Sequence, residues 1–144
     1  MKNFVSLVRF SALIFGLGIL AANLHAVASA QESEAVTVMR SAKMIYIRIQ
    51  SNYCNREELE KNLLQSKEFQ MWGLALTQDE KEADLVLEVH RKRWTTRFTI
   101  AALNPHTKHL LASDSDTSLG GEIEPKLAQL FIRQLKKVRP LKAG

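Results

Sequence analysis

Ile123, Leu127, Leu130, Phe131, Leu135 and Val138 recur at spacings of three and four, while Lys126, Arg133, Lys136 and Lys137 take the other side. An apolar stripe of that period is one face of an α-helix, and a helix with such a stripe has to lay it on something. Pro125 falls in the first turn, where its missing N–H is no loss, and Pro140 stops the helix. The rest of the chain therefore has to supply a sheet face.

The sheet is legible in several pieces. Residues 43–50 alternate, with Ile45, Ile47 and Ile49 on one side, which is the period of a half-buried strand. Asn55 followed three residues later by Glu58 reads as a capping box; Leu59, Leu63 and Leu64 form the stripe of the helix it opens, ending near Ser66 or Lys67. Residues 69–77 read as a second strand with a bulge at Gly73, and 78–82 as a charged connection. Further on, Leu85, Leu87 and Val89 share a face, as do Trp94, Phe98 and Ile100. The composition of residues 104–108 makes a turn into a short strand at 109–113, followed by a polar loop at 114–118 and the Gly120-Gly121 break. The expected fold is α+β: a two-layer domain over residues 43–140, with a mostly antiparallel sheet of about five strands and two helices packed on one face.

Ahead of this domain, Lys2 and Arg9 precede an apolar run from Phe10 to Ala22 that closes on Ala28-Ser29-Ala30. A positive start, a greasy centre and a small-x-small site make a secretory signal peptide over residues 1–30, cleaved after Ala30, with 31–42 as a flexible leader. The expected location is then periplasmic or secreted, with no transmembrane segment left after cleavage. The alternative is an uncleaved anchor in the inner membrane, since residues 10–30 approach the ~20 needed to span one. Cleavage takes Lys2 and Arg9 with it, which lowers the net charge from +5 to +3. So mild a basicity does not argue for nucleic acid as partner. Cys54 is the single cysteine, so no internal disulfide forms, and it reads as a small apolar filler at a strand end.

Few residues suggest chemistry. His106 and His109, with Asp114 and Asp116 nearby, are candidate metal ligands, but a turn does not set two imidazoles on one helical face and no third ligand has a recognisable spacing. Surface turn histidines describe them better, and no cofactor is expected. Arg91, Lys92, Arg93, Trp94 and Arg97 form the densest basic cluster, with an aromatic inside it. It reads either as a solvated hairpin end, where cations discourage strand aggregation, or as a patch for anionic lipid head groups or cell-wall polymer. The pairs Asp114/Asp116 and Glu122/Glu124 fall in a loop and at a helix start, where acids serve as solvated charges and caps. No nucleophile–base pairing, phosphate loop or metalloprotease motif is present, so an enzyme is not expected.

Residues 83–89, 96–100, 104–108 and 111–113, with Leu119-Gly120-Gly121 before the basic helix, resemble a group of small exported bacterial proteins, acidobacterial in type and of uncharacterised function. The layout over residues 43–138 is similar to the α+β domains of envelope-assembly proteins, including the amino-terminal domain of the Tol-system translocation protein. Lys108 departs from the pattern, standing where a turn glycine is usual. The resemblance carries no catalytic residues. It implies a non-catalytic binding or accessory module that contacts an envelope protein or an anionic envelope surface; the alternative is an exported domain for a small ligand or metal.

Overall fold

The computed structural model describes residues 34–140; the expected signal peptide, with Ala28 and Ala30 at its cleavage site, lies outside the described residues. A helix covers residues 34–41 (α1) and leads into strand β1 at Met44–Ile49. Helices α2 (Arg56–Gln65) and α3 (Lys67–Met71) follow, then β2 (Ala75–Thr77) and a 3-10 turn at Glu80–Glu82. A three-strand meander of β3 (Leu85–Arg91), β4 (Arg97–Leu103) and β5 (Leu110–Thr117) precedes the long helix α4 (Glu124–Val138).

The fold is α+β, with five strands in the order β2-β1-β3-β4-β5. The sheet is mixed and mostly antiparallel: β3–β4–β5 is the expected meander, while β1 runs parallel to both of its neighbours. Ile45 and Ile47, Leu85, Leu87 and Val89, and Phe98, Ile100 and Ala102 are the buried residues of one sheet face. They share one core with Leu59 and Leu63 of α2, Phe69 of α3, and Leu127, Phe131 and Leu135 of α4. The stripe that demanded a sheet face has found one.

Several details differ from the sequence reading, each for a physical reason. Residues 67–71 are helical rather than the start of a strand, because the Ser66 hydroxyl caps them by accepting from Phe69 N at 3.4 Å. Gly73, at φ +60°, then ends the turn by donating to Gln70 O, instead of bulging a strand. Leu64 lies one position round from the Leu59–Leu63 stripe and is exposed. Glu58 does not reach back to complete its capping box; it pairs with Lys61, and Glu124 Oε1 accepts from Asn55 N at 2.7 Å in its stead. That bond ties the start of α2 to the start of α4. Glu124 is thus buried, not a solvated charge.

The polar run at 114–117 is not a loop but the second half of β5. Register sets Asp114 beside Ile100 and Asp116 beside Phe98, on the core side of the open sheet edge, and Arg133 of α4 meets Asp114 at 2.8 Å. Charges turned inward at an edge discourage a second sheet from adding there. Lys108, the expected oddity of the β4–β5 turn, takes the glycine-like φ of +61° and closes the turn by donating to Asn104 O at 2.9 Å.

Residues 34–41, read as flexible leader, are instead a helix tied to the end of α4 by one arginine of its own and one from the distant chain. Arg40 Nε donates to Val138 O at 3.1 Å. Arg139 is buried; its Nε donates to Met39 O at 2.8 Å and its Nη2 to Ala42 O. Arg139→Met is expected to cost about 1–3 kcal/mol, since two buried carbonyls lose their donor. A urea titration followed by circular dichroism measures it, and an unchanged midpoint contradicts the pinning role.

Candidate functional site

The β3–β4 hairpin gathers the whole basic cluster at one end of the sheet. Arg91 stands opposite Phe98, Lys92 N donates to Arg97 O at 3.0 Å, and a tight turn closes with Thr95 N donating to Lys92 O at 3.2 Å. The Thr95 hydroxyl pins that turn from both sides, donating to Lys92 O at 2.9 Å and accepting from Arg97 N at 3.2 Å. Trp94 does not join Phe98 and Ile100 in the core. The turn breaks the strand's parity, so the indole stands wholly in solvent, 100% exposed, at φ +60°. A bulky side chain in the left-handed region costs about 1–2 kcal/mol. Exposing a full indole forfeits its burial as well. Strain of this sort is characteristic of functional sites.

Neighbouring loops extend the surface. The chain after β1 is held to β3 by Gln50 N donating to Val89 O at 2.8 Å, which places Tyr53 beside Arg91. The Arg91 guanidinium lies over the Tyr53 ring at 4.2 Å and over Phe98 at 5.9 Å, while its Nε donates to Thr95 O at 2.6 Å. On the other flank, Ser118 N donates to Thr96 O at 3.0 Å and brings the 118–122 loop alongside. Tyr53 and Leu119 are exposed to 72% and 89%, so three large apolar side chains ring this end of the sheet. Between the 50–53 loop and Arg91, Arg93 and Trp94 lies a groove of about 540 Å³.

Elsewhere on the surface, six cations meet acids. Arg48 contacts Glu80 at 2.5 Å and Glu88 at 3.0 Å, and Lys108 contacts Glu80 at 3.0 Å. Arg56 pairs with Glu60, and Lys136 with Glu68 at 2.5 Å, where the ammonium holds the Glu68 carboxyl down to about 2. Arg133 does the same in direction for Asp114. By contrast, Arg91, Lys92, Arg93 and Arg97 have no carboxylate within ion-pair distance among the described residues. Glu122 is the exposed acid on this end. Lys67, Lys81 and Lys137 also lack a carboxylate partner among the described residues, so what sets this end apart is that four such cations cluster around one exposed indole.

No protein family, curated protein or solved structure matches this chain. The roles of these residues thus rest on their own surroundings.

The other candidates lie apart from this surface. His106 and His109 sit on the β4–β5 turn, both exposed, with His106 N bonded to Asn104 Oδ1 at 2.9 Å and Asn104 N to His109 O. Among the described residues no group of three His, Cys, Asp or Glu side chains is placed to hold a metal ion. Among the same residues no helix is long and apolar enough to cross a membrane.

Cys54 is a buried free thiol. Burial first, and the nearby Glu124 carboxylate second, push it up to about 12. The protonated form is then favoured by folding at every pH below an ordinary thiol's ~8.5, and that advantage fades as pH climbs towards the raised value. Thiol reagents at pH 8 are expected to label native protein far more slowly than urea-unfolded protein; equal rates contradict the burial.

Proposed function

We propose that the domain is a non-catalytic binding module of the cell envelope, exported by its leader, that docks on an anionic lipid surface through the β3–β4 hairpin end. The observation that supports it is the group of four uncompensated cations around a wholly exposed tryptophan. Indole and tyrosine rings have an apolar body and a polar tip, which suits the headgroup boundary of a bilayer. Arginine and lysine stems lie along the apolar zone while their heads reach the phosphates. Each such cation near an anionic leaflet contributes about 1 kcal/mol. The domain would approach tip first, with Trp94 entering and Tyr53 and Leu119 resting at the boundary.

Trp94→Gly separates fold from function. Relief of the left-handed strain is expected to raise stability by about 1 kcal/mol, while attachment to phosphatidylglycerol vesicles weakens several-fold. Trp94 fluorescence, read in a Trp72→Phe background, should shift to the blue with those vesicles and stay put with phosphatidylcholine alone. No shift with either would remove the lipid surface as partner. A co-purifying envelope protein that protects Trp94 in place of lipid would reassign the same surface.

A further inference from the structure

Arg91 differs from its basic neighbours in being pre-set. Its guanidinium lies over the Tyr53 ring, 4.2 Å from the centroid, and its Nε is spent on Thr95 O, so two contacts restrain the side chain. The two Nη groups have no hydrogen-bond acceptor among the described residues. Arg93 borders the same groove. The side-chain amides of Gln50 and Asn52, which also line it, make no hydrogen bond within the described protein. One restrained guanidinium on a groove of about 540 Å³, with unpaired donors beside it, suits a compact oxyanion, because the ordering of the arginine precedes binding.

We propose that this groove is a phosphate subsite, in which Arg91 grips two oxygens with its paired Nη groups, Arg93 adds a second charge, and Gln50 or Asn52 donates to a third oxygen. On the membrane reading above, on which this inference rests, the phosphate is that of a lipid headgroup. The hairpin cations supply attraction to any anionic surface, and the groove supplies registration on individual phosphates. Guanidinium geometry matters here in a way that bare charge does not, since lysine is a point donor without the planar fork.

The experiment titrates the domain with inorganic phosphate, then with glycerophosphoglycerol, the soluble diester of a phosphatidylglycerol headgroup, at constant ionic strength. It follows the arginine Nε–H and the 50–53 amide signals by NMR. Saturable shifts of the Arg91 signal and the 50–53 amides, absent with chloride, are expected. Arg91→Lys should weaken binding roughly tenfold, with an otherwise unchanged amide spectrum and persisting sedimentation with phosphatidylglycerol vesicles. Tyr53→Leu, which removes the platform from an exposed loop position, should weaken phosphate binding by a smaller factor. Saturation by the diester as well as by inorganic phosphate supports a lipid source; saturation by inorganic phosphate alone overturns it. Shifts equal to those in chloride, or an Arg91→Lys protein that binds phosphate as tightly as the parent, overturn the subsite. Vesicle sedimentation in the same samples reports separately on the hairpin surface, so the two readings fail by different signals.

Discussion

Phe131→Ala is expected to lower the free energy of unfolding by about 3–5 kcal/mol. The ring is fully buried on the middle of α4, within the core that holds Ile45, Leu87 and Ile100. Removing it takes away the apolar transfer energy and leaves a void that a close-packed interior refills only in part. Domains of this kind are stable by only ~5–15 kcal/mol, so the variant loses a large share of the whole. Guanidinium titration should move the midpoint down with little change of slope. A loss below 1 kcal/mol would mean that α4 does not seal the sheet.

The second large effect falls on binding. Lys92→Gln, Arg93→Gln and Arg97→Gln together remove three cations that have no acid partner. At about 1 kcal/mol each near an anionic leaflet, the triple variant should bind phosphatidylglycerol vesicles roughly 100-fold more weakly. The fold should hold, because the three side chains are exposed and the hairpin is closed by backbone bonds and Thr95. A triple variant that binds like the parent would place the contact elsewhere on the molecule.

What could be read from residues alone was whatever repeats over a short span. The 3.6-residue period of α4, the alternation of Leu85, Leu87 and Val89, the Asn55 cap and the 104–108 turn each carry their signal within a dozen residues, and each is found in place. Features settled by distant partners were not legible. Nothing within residues 44–49 announces that β1 has parallel neighbours on both sides, since that order arises from pairing with segments 30 and 40 positions away. The α1 helix owes its place to Arg139, about 100 positions along the chain. The second half of β5 looks like loop because Asp114 and Asp116 occupy core-side positions at an edge, where polar residues are tolerated.

The candidate surface was legible as a cluster but not as geometry. Sequence spacing singled out Arg91, Lys92, Arg93, Trp94 and Arg97 at a strand junction, and the hairpin brings all five together. Strand alternation, however, pointed Trp94 inward; one residue at φ +60° reverses that. Tyr53 and Leu119 gave no signal, because they reach the site from loops that only the sheet order places alongside. That none of these cations reaches an ion-pair partner, although Glu122 lies on the same end, is likewise a property of space, not of spacing.

The most direct measurement is co-sedimentation of the protein with vesicles of phosphatidylcholine, alone and mixed with phosphatidylglycerol, at low and high salt. Attraction between an uncompensated cationic end and a charged leaflet predicts binding that rises with the phosphatidylglycerol fraction and weakens as salt screens it. Protein that stays in the supernatant at every composition, or pellets equally with neutral vesicles, would contradict the account.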